Sequence, residues 1–456
     1  MLTNRKRPLL LRVASFGFIL MALHAHVCLA QCGGGGGGRQ RQSVGGVSID
    51  ADGVLSSATI DQSSALREVL TRSLHAQAAD LRAPTELRKV SLRRLDEAIE
   101  AALQSGEPLS DDVQYLAGLQ SIRYVLAYPE DHDVVLVGYG EAWTVDKQGF
   151  VVGENTGRPV LLLDDLLVAW RAAQRSGDDA ITCSIDPTQA GLANLRQYVG
   201  SLSRIADVSL ERIEQSLGAQ TITIAGIPLT SHFARVLVAA DYKMKRLGMK
   251  LDPSPVAGLP SYLDLVSTSG RGMQDMTPRW WLTPAYLDLL SDPEGLAWEL
   301  RGSSVVVMTE DTLFAADGSK TQTGKTSTAG QQWAALMTRR YEALAAKEPI
   351  FAQLRNCMDL AVVAALIRTQ RLTVRAGCPL AVLLDPSQLP ANELAAPRFT
   401  PSRASVLKKG SNFVISASGG VEIHPREMLE KTQISETLHH VYDAAQSTER
   451  THWWWN

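Results

Sequence analysis

Cysteine is scarce in this sequence, aromatic residues are few, and neither sign of charge is in large excess. Five cysteines stand in 456 residues. No CxxC pair or Cys/His spacing among them suggests a zinc or haem site, so no metal ligands and no cofactor are expected. There is no Gly-x-Ser-x-Gly elbow and no His-Glu-x-x-His helix, which removes two common hydrolase chemistries. A formal net charge of −3 gives no generic pull toward nucleic acid or anionic lipid. The apolar run Leu360–Ile367 is too short to cross a bilayer.

Several near-motifs fail on spacing. Gly318 to Lys325-Thr326 places five residues between glycines where a phosphate-binding loop needs four. Asp50-Ala51-Asp52-Gly53 opens like a calcium loop but lacks the acid six positions after the glycine, so a hairpin turn is expected. Ser405-Val406-Leu407-Lys408 matches Ser-x-x-Lys without its companion elements. No catalytic residue is assigned. The histidines carry no ligand-like spacing. The adjacent His439 and His440 would point about 100° apart on a helix, so solvated histidines are the default.

The N-terminus is more informative. Asn4-Arg5-Lys6-Arg7, the apolar stretch Val13–Val27 and Cys28-Leu29-Ala30 read as a signal peptide cleaved after Ala30. The alternative is acylation at Cys32, with a bulky Gln31 where a small residue is preferred. Removing 30 residues from 456 leaves 426, and losing Arg5, Lys6, Arg7 and Arg12 moves the charge from −3 to −7. Four cysteines remain: Cys32, Cys183, Cys357 and Cys378. A Cys357–Cys378 disulfide is one expectation, and buried free thiols are the other.

Periodicity predicts an α+β, or mixed α/β, chain. A Gly-rich flexible leader, 31–44, precedes an N-terminal α+β domain, 45–205. A central α/β-like domain follows at 206–385, then a linker at 386–402. A small C-terminal hairpin and helix unit with a Trp tail occupies 403–456. Asp186-Pro187 reads as a helix start, Arg371–Val374 and Cys378–Leu384 as strands, and the prolines from 253 to 293 as loop punctuation. The Asp-x-x-Gly hairpin at Asp146–Gly149 echoes the one at Asp50–Gly53.

Three blocks, Ala240–Arg246, Gly258–Asp264 and Arg279-Trp280-Trp281, resemble an uncharacterised family of secreted planctomycete-type bacterial proteins. Ile350–Asn356, Met358–Ala361 and the terminal tryptophans share the likeness, which covers most of the mature chain. The resemblance implies secretion and one extended architecture, and supplies no catalytic residues.

Two aromatic clusters stand out. Arg279, Trp280 and Trp281, with Tyr262, Asp264 and Tyr286, could stack on a sugar or a cation while Asp and Arg fix polar groups. The alternative is that the indoles pack as core. Trp453-Trp454-Trp455 cannot all face one core. They suit a groove on the same chain, or contact with an unknown envelope or extracellular partner. The favoured expectation is a non-catalytic, exported binding or assembly protein, periplasmic or extracellular, without a transmembrane helix once the signal is cleaved. One alternative is a glycan or peptide hydrolase using carboxylates from Asp241, Asp264, Glu310 and Asp311. The other is a periplasmic small-ligand binder using the Trp280 region.

Overall fold

The computed structural model describes residues 42–44, 46–75, 77–175, 180–203, 209–266, 276–314, 320–322, 324–405, 417–446 and 454–455. The expected signal peptide, Cys32, Trp453, most of the Ser405–Lys408 motif and part of the phosphate-loop look-alike lie outside them.

β1 (Gln42–Val44), β2 (Val47–Ile49) and β3 (Leu55–Ser57) form a three-stranded antiparallel sheet. Asp50 makes the β2–β3 turn: its Oδ1 accepts from the N–H groups of Asp52 and Val54 at 3.0 and 2.9 Å. Gly53 takes φ +83°, which costs little only for glycine. Helices α1 (Ile60–Ser73) and α2 (Ala79–Arg82) follow. β4 (Thr85–Ser91) then runs directly into α3 (Leu92–Ser105), where the Ser91 hydroxyl caps by accepting from Arg94 N–H. After α4 (Asp111–Gln114) come the paired strands β5 (Tyr124–Tyr128) and β6 (Asp133–Gly140). The hairpin β7 (Trp143–Val145) and β8 (Val151–Gly153) repeats the first turn's chemistry. Asp146 Oδ1 accepts from Gln148 and Phe150 at 2.8 and 2.9 Å, and Gly149 has φ +87°.

α5 (Leu163–Ala173) leads to β9 (Ile181–Pro187), α6 (Gln189–Gly200) and α7 (Leu210–Leu217). Asp186 and Pro187 remain in the strand, and Thr188 is the cap, accepting from Gly191 N–H. β10 (Ala219–Ala225) precedes α8 (His232–Gly248), whose stripe of Phe233, Val236, Leu237, Ala240, Met244 and Leu247 is buried. α9 (Tyr262–Leu265) is one turn with a Ser261/Asp264 capping box.

The next stretch departs from the expected proline-cut loops. β11 (Met276–Ala285) is a ten-residue strand that includes Pro278 and Pro284. Both prolines lie just outside the four residues, 279–282, that pair with a second neighbour, where a strand tolerates a missing N–H. β12 (Leu289–Ser291), β13 (Ala297–Glu299), β14 (Ser304–Phe314) and β15 (Lys320–Gln322) follow, then α10 (Thr328–Ala345) and α11 (Pro349–Thr369). α11, at 21 residues, is long and apolar enough to span a bilayer, yet 94% of its apolar window is buried, as in a core helix.

Arg371–Val374 is not a strand: Arg371 caps α12 (Leu372–Ala376), which holds the other three residues, and Cys378–Leu384 is irregular chain ending in a turn. Short apolar runs carry too little periodicity to separate the two states. Left-handed residues at Arg371 and Gly377 bracket this helix. The chain ends with β16 (Phe399–Pro401), β17 (Ser418–Ile423), β18 (Thr432–Ile434), α13 (Leu438–Gln446) and β19 (Trp454–Trp455).

Two seven-stranded sheets organise these elements, in the orders β15-β14-β11-β17-β9-β10-β16 and β18-β12-β13-β5-β6-β4-β19. Each draws strands from all three expected domains, so the boundaries at 205/206 and 386–402 do not separate sheets. Residues 41–456 form one compact unit. The expected linker is likewise packed: Leu389 is buried, Leu394 N–H donates to the Thr230 carbonyl, and β16 pairs with β10. The result is an α+β fold. One face of the first sheet carries α8 and α10. The second sheet presents Val125, Ala127, Val134 and Leu136 to the main core. Its opposite face, with Tyr124, Leu126, Tyr128, Val135 and Val137, is covered by α13.

Candidate functional site

The alternation of β11 divides the sequence-predicted cluster. Trp280 and Leu282 turn to the helices and are fully buried. The Trp280 ring lies 4.3 Å from Trp333 and 5.1 Å from Tyr262, which is also fully buried. Neither Trp280 nor Tyr262 can touch a ligand, so the reading of these two as binding residues is corrected to core. Asp264 belongs to neither face of the sheet. It closes the α9 capping box and pairs with Lys250 at 2.6 Å on the surface. Tyr286 is also withdrawn, donating to the buried Asp359 carboxylate.

Arg279 and Trp281 occupy the other face. The Arg279 guanidinium stacks 4.3 Å from the Trp281 ring centroid and is ion-paired with Glu422 on β17. Beside them is a concavity of about 470 Å³, lined with Thr182, Ser184, Asp186, Thr223 and Glu422 among others. Its floor is bare backbone at Gly419 and Gly420. A Cβ on Gly420 would stand 1.7 Å from the Cys183 carbonyl oxygen, and one on Gly419 1.7 Å from that of Trp280. Only glycine lets β17 fit between β9 and β11 at this spacing. The face offers an aromatic plane, a fixed cation, carboxylates and hydroxyls, which suit polar, hydroxyl-bearing ligands.

Behind the floor, Lys245 ties the strands from α8. Its Nζ donates to the Ile185 carbonyl at 2.5 Å, to Asp241 Oδ2 at 2.9 Å and to the Gly419 carbonyl at 3.0 Å. Burial raises the Asp241 carboxyl to about 7, with Lys245 opposing that rise. The i, i+4 spacing of acid and base was the available signal.

The carboxylates considered for hydrolysis are each engaged by a different partner. Asp241 is with Lys245, Asp264 with Lys250, and Glu310 accepts from Gly324 N–H at 2.7 Å. Asp311 is buried; desolvation raises its pKa against hydrogen bonds from Ser327.

His232 departs from the solvated default. It opens α8 with its Nδ1 3.0 Å from Asp165, and the Cys357 thiol also bonds Asp165. Burial would lower the His232 pKa, but Asp165 outweighs it and the net direction is upward. Burial also pushes the Cys357 thiol well up. The aspartate stands between cysteine and histidine, whereas an activated nucleophile needs the base next to it. This cluster is a structural knot.

The expected Cys357–Cys378 bridge is absent: both thiols are free and buried. Cys357 lies mid-helix beside Asp165, while Cys378 follows α12 near Asp133 and Asp96. From Cys357 the helix continues for a dozen residues, roughly 18 Å, before it ends.

Glu141 is a further buried carboxylate that the sequence did not reveal. Desolvation would raise its pKa, but hydrogen bonds from Thr156, Gln120 and Asn155 outweigh it and hold the carboxyl at about 2. Of the terminal tryptophans, Trp454 and Trp455 form β19 against the edge of β4. Among the described residues, no group of three or more His, Cys, Asp or Glu could hold a metal.

A family described as a protein of unknown function, DUF1598, matches residues 183–262, spanning most of β9 through the first residue of α9. The match includes Asp186, Asp241 and Lys245 and stops short of Arg279 and Trp281. No curated protein and no solved structure matches the chain.

Proposed function

We propose that the protein is an exported, non-catalytic binding or assembly protein of the cell envelope or its surroundings. Its ligand face is the polar side of the first sheet around Arg279 and Trp281. One observation carries this reading: the Arg279–Trp281 stack, anchored by Glu422, beside the glycine-floored concavity of about 470 Å³. That volume lies within the range of small-molecule sites, and its few convergent polar groups match their usual character. The signal-like N-terminus and the resemblance to secreted planctomycete-type proteins support export. A hydrolytic role has less support, because the candidate carboxylates are engaged separately.

The test compares wild type with Arg279→Ala, Trp281→Ala and the distant surface variant Asp264→Asn. Each is screened against an array of envelope glycans and by thermal shift with soluble saccharides and polyols. Binding lost in the first two variants and kept in the third is expected. Equal binding by all four proteins, or none by wild type, would remove this face as the site. Fractionation of cells producing the full chain tests export, with a mature N-terminus at Gln31 as the expected product.

A further inference from the structure

The outer side of the first sheet can be followed strand by strand through its pairing. Residues directly opposite one another in neighbouring strands share a face, and so do residues two apart in one strand. Trp281 on β11 is opposite Gly420 on β17, Gly420 is opposite Ser184 on β9, and Ser184 is opposite Thr223 on β10. The row beside it runs from Asp186 through Thr221 to Phe399 on β16, the edge strand. Trp281, Ser184 and Asp186 are partly exposed and Thr223 is exposed. Phe399 is 42% exposed, a large apolar ring left in solvent at the sheet's far edge.

Two rings therefore mark the ends of a track that crosses the strands. From β11 to β16 the order is β11-β17-β9-β10-β16. At roughly 4.8 Å per strand, Trp281 and Phe399 stand about 19 Å apart across the sheet. A single sugar ring can stack on one of these planes and cannot reach the other. Between them lies the concavity of about 470 Å³, where Gly420 raises no side chain into the path and Ser184 and Thr223 bring hydroxyls to it.

Charge narrows the ligand further. The described charged side chains lining the concavity are Asp186, Glu422 and Arg279, and Glu422 is already paired with Arg279. The lining is left with an excess of negative charge, so an anionic chain would meet like charge along the track. We propose that this face takes a neutral, unbranched glycan chain several sugar units long, lying across the strands from Trp281 to Phe399. The inference rests on the reading of the Arg279–Trp281 face as the ligand site and adds the ligand's length, direction and charge. Phe399, distant in sequence and outside the concavity, is its far stacking platform.

Calorimetric titration of the full chain tests this. The probes are cello-, laminari- and N-acetylchito-oligosaccharides of two to six units, with oligogalacturonates of the same lengths as the anionic series. In wild type, affinity for one neutral series should rise about tenfold from the shortest chain to the longest, the worth of one further stacking contact. Phe399→Ala should lose that gain and Phe399→Tyr should keep it, while Trp281→Ala should weaken binding at every length. Affinity independent of chain length, or a gain that survives in Phe399→Ala, would overturn the track and leave the Arg279–Trp281 site standing. Tighter binding of the oligogalacturonates would overturn the neutral assignment alone. Binding of no neutral series at any length would overturn the whole inference, and the wider glycan and polyol screen then decides the site independently.

Discussion

Trp280 and Trp281 are neighbours in sequence and face opposite sides of β11. Trp280 is fully buried against Trp333 and Tyr262, while Trp281 is partly exposed beneath the Arg279 guanidinium. Their substitutions should therefore separate stability from binding. Trp280→Ala removes a large ring from a close-packed core and should cost about 3–5 kcal/mol. Trp281→Ala should cost about 1 kcal/mol or less, as a half-exposed position does. Urea unfolding of both variants measures the difference. Equal destabilisation would contradict the division of the two faces.

Much of the fold was legible where periodicity was strong. The stripe of α8, the amphipathic α10 and both Asp-x-x-Gly hairpins follow from residue spacing and turn chemistry. What failed was long-range or context-bound. Pro278 and Pro284 signal loops locally, yet the sheet accepts them because β17 pairs only between them. The domain boundaries failed because both sheets gather strands from distant parts of the chain, which no local signal records. The proposed ligand face is built from β9, β10, β11 and β17, so only Arg279 and Trp281 could be suspected in advance. Glu422, Asp186 and the glycine floor enter through pairing alone.

Glu141 should behave as an anchor for the segment after β8. Its carboxylate accepts from Gln120 Nε2 at 2.8 Å, Asn155 Nδ2 at 2.7 Å and the Thr156 N–H at 3.0 Å. Glu141→Ala strands these donors in a buried site, at a cost of about 3 kcal/mol. Gln120→Ala removes one donor and should cost less. Hydrogen exchange should show residues 153–157 losing protection in Glu141→Ala. Unchanged exchange there would contradict the anchoring role.

The thiols offer a chemical check on the core. Cys183, Cys357 and Cys378 are free, buried and shifted upward by desolvation, so none is an activated thiolate. A thiol reagent should leave these three unmodified in the native protein and label them in denaturant. Reducing agent should not change the melting temperature through Cys357 or Cys378. Mass spectrometry that found the 357–378 peptides linked in native protein would overturn this.

Asp241 makes stability depend on pH, and the sign follows from its shift. Its ordinary value of 3.8 rises to about 7 in the folded chain, chiefly through burial, with Lys245 opposing. Between those values the folded protein keeps a proton that the unfolded chain has released. Stability therefore falls as pH rises through this window, by up to about 1.4 kcal/mol per pH unit. His232 acts in the same direction above 6.5, since its folded value is also raised and its contribution fades as it deprotonates. Asp241→Asn removes the titrating carboxyl while leaving Lys245 its two backbone carbonyl partners. Wild type should lose more unfolding free energy than Asp241→Asn between pH 5 and pH 7, and above pH 7 the two curves should run parallel. Identical slopes below pH 7 would mean that Asp241 is already ionised in the folded protein and that Lys245 holds it as a full ion pair.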